Sequence, residues 1–126
     1  MKKQVLIVSA EATTKAIMRL LLKQLPAQHD IEITEVMSCA DGVAKVRERG
    51  FDVVITDNVT GVDEKTGFDV VHEVLGRHDG TKVILAAHRL SSEEVEMSKT
   101  LMPSGFLQKP FDPSLFTFCV ESLLER

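Results

Sequence analysis

Phe51-Asp52-Val53-Val54-Ile55-Thr56-Asp57 is the stretch whose reading decides the fold. Its centre is a run of β-branched residues, which suit a pleated and packed surface. The run is continuous rather than alternating, as expected of a parallel strand covered on both faces. It ends on a carboxylate, so Asp57 falls at the strand's carboxyl end. Working outward, Val5-Leu6-Ile7-Val8 and Val83-Ile84-Leu85-Ala86-Ala87 repeat the pattern. Ile31 to Met37 alternates instead, with Ile31, Ile33 and Val36 against Glu32, Thr34 and Glu35, which predicts a more exposed strand. Phe106-Leu107 marks a short fifth strand.

Helical spacing fills the gaps. Ala16, Ile17, Leu20, Leu21 and Leu25 share one face of a first helix, closed by Pro26. Val43, Ala44 and Val46 predict a short second helix ending at Gly50, and Phe68, Val71 and Leu75 a third stopping near Gly76. Ser91-x-x-Glu94 has the form of a capping box, so a fourth helix begins there. Its apolar content is thin (Val95, Met97, Leu101, Met102), which predicts the least firmly packed helix. Asp112-Pro113 supplies an N-cap followed by proline at the first helical position. Leu115, Phe116, Cys119, Val120 and Leu123 then form the buried stripe of the last helix. Five β-then-α units imply an α/β protein with a parallel sheet and helices on both faces.

The 126 residues suit one domain, 1–126, large enough for a core without disulfides. Apolar residues make up 44%, which argues against general disorder. The formal net charge of −4 carries no basic excess that would point to nucleic acid or an anionic membrane surface. No apolar run approaches the roughly 18 residues of a membrane span. Val5 to Val8 is too short for a signal-peptide core, so the expected location is cytoplasmic. Cys39 and Cys119 lie far apart without paired spacing and read as reduced, partly buried thiols.

In open parallel sheets ligands sit beyond the carboxyl ends of the strands. That directs attention to Ser9, Ala10 and Glu11; Asp57, Asn58 and Val59; Ala87 and His88; and Lys109 and Pro110. A carboxylate at Asp57 can attack a phosphorus centre to give an acyl phosphate. An ammonium at Lys109, just past the fifth strand, would neutralise charge on the transferred group. The alternative for the same two residues is a turn-capping aspartate and a solvated lysine.

Further residues carry a family resemblance. Phe51 to Asp57 resembles the phosphoacceptor strand of response-regulator receiver domains, and Lys109-Pro110-Phe111 resembles their Lys-Pro-Phe segment. Gly67-Phe68 resembles the start of their third helix, and Gly105-Phe106 the glycine–aromatic pair of their fifth strand. The resemblance runs the length of the chain. It implies a (βα)5 flavodoxin-like three-layer sandwich with a parallel five-stranded sheet in the order 2-1-3-4-5. It also implies Asp57 as phosphoacceptor, Lys109 as the phosphoryl contact, a phosphohistidine donor on a histidine kinase or phosphotransfer protein, and Mg2+. A cis Lys109–Pro110 bond follows from the same likeness. Readout would pass to a downstream protein or output domain through the fourth helix, fifth strand and fifth helix.

The departures concern the acidic pocket. Receivers place two acids directly after the first strand, where this chain reads Ser9-Ala10, with Glu11 one step later. Metal ligands by resemblance reduce to Asp57, the Val59 backbone carbonyl and, if it reaches back, Glu11, so Mg2+ is expected to be weak or absent. At the switch positions Ala87 stands where a hydroxyl is usual, and Phe106 keeps the aromatic. Residues 60–66 replace the usual Met-Pro loop and read as longer. With fewer acids facing it, Lys109 is expected to pair directly with Asp57. His72 and His78 are best read as exposed, His88 as a solvated loop residue with a ligand contact as its alternative, and Arg89, where by resemblance the family tunes phosphate lifetime, either shields the site or faces water. Two functions follow: a receiver phosphorylated on Asp57, or a pseudo-receiver that binds partners without phosphorylation. In neither is it an enzyme beyond self-phosphorylation and self-dephosphorylation. A remote third reading, a small flavodoxin-like FMN binder or enzyme, takes Ser9 to Thr14 as a phosphate loop, but that loop lacks glycine and the chain has no Trp or Tyr to stack on a flavin.

Overall fold

The computed structural model describes residues 2–26, 29–58, 60–61, 64–77, 80–88, 90–101 and 104–125. Strands β1 (Lys3–Val8), β2 (Ile31–Val36), β3 (Val53–Asp57), β4 (Lys82–Ala87) and β5 (Gly105–Gln108) alternate with helices α1 (Ala12–Lys23), α2 (Cys39–Glu48), α3 (Gly67–Arg77), α4 (Ser92–Leu101) and α5 (Pro113–Leu124). All pairings are parallel and the sheet order is β2-β1-β3-β4-β5, as the resemblance implied. The ladder of β3 begins at Val53 rather than Phe51. Asp52 spends its side chain on the Gln4 N–H, at 2.7 Å, where a ladder partner would stand.

Alternate residues of the central strands feed two cores. Val5, Ile7, Val53, Ile55 and Ile84 pack with Met18, Leu22, Phe116 and Val120 of α1 and α5. On the opposite face Leu6, Val8, Val54 and Val83 pack with Val43, Val46, Val70, Val71 and Val74 of α2 and α3. This is the three-layer arrangement, with helices covering both faces of one sheet.

Helix phase is where sequence spacing misled. In α1 the buried residues are Met18 and Leu22, with Leu21 and Leu25 partly buried against the same core, while Ile17 and Leu20 face outward. In α5 Leu115 points to solvent and Leu124 is buried in its place. Ala44 of α2 is exposed. These helices carry more apolar residues than one face can hold, so periodicity alone admits neighbouring phases. Helix α3 runs through Gly76 to Arg77, whose guanidinium donates to the Val46 carbonyl of α2 and holds the last turn. Helix α2 stops at Glu48, two residues before Gly50, because Arg49 is already extended.

The predicted caps form. Ser91 Oγ accepts from Glu94 N at 3.1 Å and Glu94 returns a carboxylate oxygen to Ser91 N at 2.9 Å. Asp112 accepts from Ser114 N at 2.7 Å and Pro113 opens α5. None of the described side chains of α4 is buried, in keeping with its thin apolar content; Met102 lies outside the described residues.

Gly67 couples fold to site. Its N–H donates to the Asn58 carbonyl at 2.7 Å, drawing the start of α3 against the end of β3. A Cβ there would lie 2.5 Å from the Asp57 carbonyl oxygen and 2.6 Å from Leu85. Gly67→Ala is therefore expected to cost about 1–3 kcal/mol, the usual scale of overpacking. Phe116→Ala, which empties the centre of one core, should cost about 3–5 kcal/mol. Urea unfolding checks both, and a Gly67→Ala variant as stable as the parent would contradict the close approach.

Candidate functional site

Parallel register assembles the site from distant parts of the chain. Val8 pairs with Thr56, so Ser9 follows beside Asp57. Asp57 pairs with Ala86, and Ala87 pairs with Gln108, which sets Lys109 just beyond. The Lys109 N–H donates to the Ala87 carbonyl at 2.8 Å, fixing where its side chain starts. The Lys109–Pro110 bond is cis.

Lys109 joins two carboxylates. Its Nζ lies 2.6 Å from Asp57 Oδ1 and 2.9 Å from Glu11 Oε1. Asp57 is 2% exposed and Lys109 8%, so this is a pair largely out of water, where charges interact strongly. Burial alone pushes the Lys109 ammonium down. Its hydrogen bonds to Asp57 and Glu11, and their charges, outweigh that and leave it above its ordinary value. The Glu11 carboxyl lies below its ordinary value, chiefly through its hydrogen bond to Lys109 and then through that ammonium's charge.

Glu11 is the N-cap residue of α1, yet its side chain makes no capping bond. Ser9 takes up local order instead: its Oγ accepts from Glu11 N at 3.2 Å and its own N–H donates to the Val36 carbonyl at 3.1 Å. The carboxylate of Glu11 is thereby left to reach Lys109. Two backbone carbonyl contacts anchor the strand end from below: the Thr56 hydroxyl lies 3.0 Å and the Cys39 thiol 3.8 Å from the Asp57 carbonyl.

Among the described residues Asp57 Oδ2 is buried without a hydrogen-bond partner, and so is Asn58 Oδ1. Asp57 Oδ2 is a hard oxygen of the kind Mg2+ takes. Around it the supply of donors is poor. Ser9 Oγ is engaged with Glu11 N, Ala10 has no donor, and Glu11 is drawn to Lys109. Val59, whose carbonyl the resemblance named, lies outside the described residues, as do His78 and Arg89. Ala87 is buried with no hydroxyl, Phe106 is 46% exposed, and His72 and His88 face solvent.

One contact escaped sequence reasoning. Asn58 Nδ2 donates to Glu94 Oε2 at 2.5 Å, tying the residue after Asp57 to the first turn of α4. That bond, and then the Ser91 backbone, hold the Glu94 carboxyl below its ordinary value. The capping pattern explained Glu94 completely from local sequence, and nothing in its spacing from Asn58 signals the second bond.

Several solved structures share this architecture. The BeF3-activated DrrB receiver domain superposes with a TM-score of 0.82 at 21% identity, covering 100% of both chains. A CheY-like receiver domain protein from Methanospirillum hungatei gives 0.82 at 18% identity, covering 99% of this chain and 95% of that one. Chemotaxis response regulator CheY4 of Vibrio cholerae gives 0.75 at 23%, covering 98% and 100%. At such identities the likeness speaks for the fold. No curated protein sequence matches significantly. The model of the response regulator receiver domain, however, matches residues 5–120, and the chain belongs to that family.

Proposed function

We propose that this chain is a two-component receiver, spanning 1–126, in which Asp57 accepts a phosphoryl group from the phosphohistidine of a histidine kinase or phosphotransfer protein. The observation that carries this is the state of the Asp57 carboxylate. Both oxygens are buried at the carboxyl end of the central strand; Oδ1 is ion-paired with Lys109 at 2.6 Å, and Oδ2 has no hydrogen-bond partner among the described residues. In the transfer a carboxylate oxygen forms a bond to phosphorus as the P–N bond breaks. The donor imidazole leaves with the electron pair and picks up a proton. Lys109, held beside the acceptor carboxylate, turns from its carboxylate partners to neutralise charge on the phosphoryl oxygens.

Mg2+ binding is weak or absent in this proposal. A receiver with two extra acids holds excess negative charge that a divalent ion balances; here one lysine faces two carboxylates. Loss of the metal's charge stabilisation makes transfer slow. Ala87 removes the hydroxyl link of the usual switch. The Asn58–Glu94 bond supplies a different mechanical link from the acceptor strand to α4. The output face is α4, β5 and α5, where Val95, Met97, Phe106, Leu115 and Phe118 are exposed. A protein or output domain binds there. The domain works in the cytoplasm and binds neither nucleic acid nor membrane; among the described residues no helix is long and apolar enough to cross one.

The pseudo-receiver is the second reading, and one observation favours it. Lys109 already pairs with both Asp57 and Glu11, so its charge is compensated in the resting state without phosphate. One experiment separates the two. Incubation with acetyl phosphate, and separately with phosphorylated kinases, is expected to add one phosphoryl mass that disappears in Asp57→Ala. Lys109→Ala should slow the reaction by roughly 10²-fold or more, the scale of removing one preorganised charge-stabilising group. No adduct from any donor would establish the pseudo-receiver.

The same triad sets a pH dependence. Glu11 is shifted down, so its contribution to stability is present at neutral pH and lost as pH falls below the ordinary carboxylate value of 4.5. Lys109 is shifted up, so its contribution is present at neutral pH and lost as pH rises through its raised value in the alkaline range. Glu11→Gln should flatten the acid limb of the stability profile and bring the alkaline loss to lower pH. Denaturant unfolding across pH reads both, and an unchanged profile would show that Glu11 does not engage Lys109 in solution.

A further inference from the structure

A second cluster lies at the opposite end of the sheet. Asp57 sits where the strands end, whereas His29 lies two residues before β2 begins, and Glu121 and Glu125 lie at the end of α5, which runs back from β5. His29 is fixed from both sides: its N–H donates to the Pro26 carbonyl at 2.8 Å, and the next carbonyl, of Asp30, accepts from Lys3 N at 2.7 Å. The His29 side chain is only 7% exposed, and its Nε2 has no hydrogen-bond partner. That nitrogen lies near two carboxylates, 3.3 Å from Glu121 Oε2 and 3.6 Å from Glu125 Oε1. One donor atom from each residue lies within 4.8 Å of the others.

We propose that His29, Glu121 and Glu125 form a binding site for a zinc-class divalent ion, with one imidazole nitrogen and two carboxylate oxygens as protein ligands and a fourth position open to water.

The distances favour an ion over a direct hydrogen bond. A charged imidazole bonds a carboxylate at about 2.7–2.9 Å, shorter than either separation. Tetrahedral Zn2+, with bonds of about 2.0–2.1 Å, holds neighbouring ligand atoms about 3.3–3.4 Å apart. The two nitrogen–oxygen separations bracket that edge, and all three donor atoms lie within 4.8 Å of one another, a span that rotation of the glutamate side chains can tighten around an ion. The charges also call for a cation. Glu121, in the last turn of α5, and Glu125, its C-cap residue, are four residues apart and repel each other. They sit at the negative end of the helix dipole, and the last turn holds no basic residue. The ligand set selects the ion: imidazole suits Zn2+, whereas Mg2+ prefers oxygen alone. A bound ion would clip the end of α5 to the α1–β2 connection, and α5 belongs to the proposed output face.

Calorimetric titration of the full chain with Zn2+ tests the site, alongside thermal unfolding with and without the ion. One saturable site is expected, with a rise in Tm that grows with free Zn2+ and that Mg2+ does not reproduce. Glu125→Gln alters a largely exposed side chain and leaves folding intact; it should weaken binding by at least about 10-fold, the lower range even for residues that only support a ligand. His29→Gln, checked for native circular dichroism, should abolish the site. Anomalous diffraction at the zinc edge should place the ion among the three side chains. Absence of saturable binding, equal affinity in both variants, or an anomalous peak elsewhere would overturn the proposal.

Discussion

Lys109 held between Asp57 and Glu11 is the constraint on which the site depends. Three charges meet where the parallel sheet opens, and two are nearly inaccessible to water. An unpaired buried charge is costly, and removing one member of such a pair destabilises more than the intact pair stabilises. The triad therefore ties together the β1–α1 turn, the end of β3 and the end of β5. Ser9 takes part indirectly: by accepting the Glu11 N–H it holds the turn whose next side chain closes on Lys109.

That arrangement changes how a receiver pocket is balanced. With acids at both positions after the first strand, negative charge exceeds what one lysine can offset, and a divalent cation becomes part of the resting site. With Ser9 and Ala10 in those places, the lysine itself serves as the main counter-charge. In the function proposed above, such a pocket would gain a paired resting state and give up electrostatic help during phosphoryl transfer. In the same proposal Ala87, buried and without a hydroxyl, offers no side-chain hydrogen bond to a phosphoryl group. Asn58 and Glu94 connect the end of β3 to α4 through the residue next to Asp57.

Packing strength follows the same geography. The central strands and the helices on both faces bury continuous apolar surface, whereas α4 buries no described side chain. Its attachment rests on its capping box, on Asn58 and on its flanking segments. An element with few buried contacts moves at small free-energy cost. The exposed Val95, Met97 and Phe106 lie on or beside it. The proposed ion at the other end of the molecule would act on α5, the remaining part of that face, at its far terminus.

The order of elements, the class of fold and the pairing of Lys109 with Asp57 were legible in the sequence. Fully buried parallel strands need unbroken apolar runs, and the turns at their ends need particular residues. The caps at Ser91 and Asp112 were equally local and equally readable. Helix phase in α1 and α5 was not, because surplus apolar residues such as Ile17, Leu20 and Leu115 make several faces look alike, and only the neighbouring sheet selects one. Glu11 was legible as an acid displaced by one position; its pairing with Lys109 depended on the turn geometry that Ser9 imposes. The Asn58–Glu94 bond and the His29–Glu121–Glu125 cluster were decided by tertiary structure alone. Each joins side chains from separate elements, and no periodicity or motif records how a parallel sheet and its crossovers bring distant residues to one point.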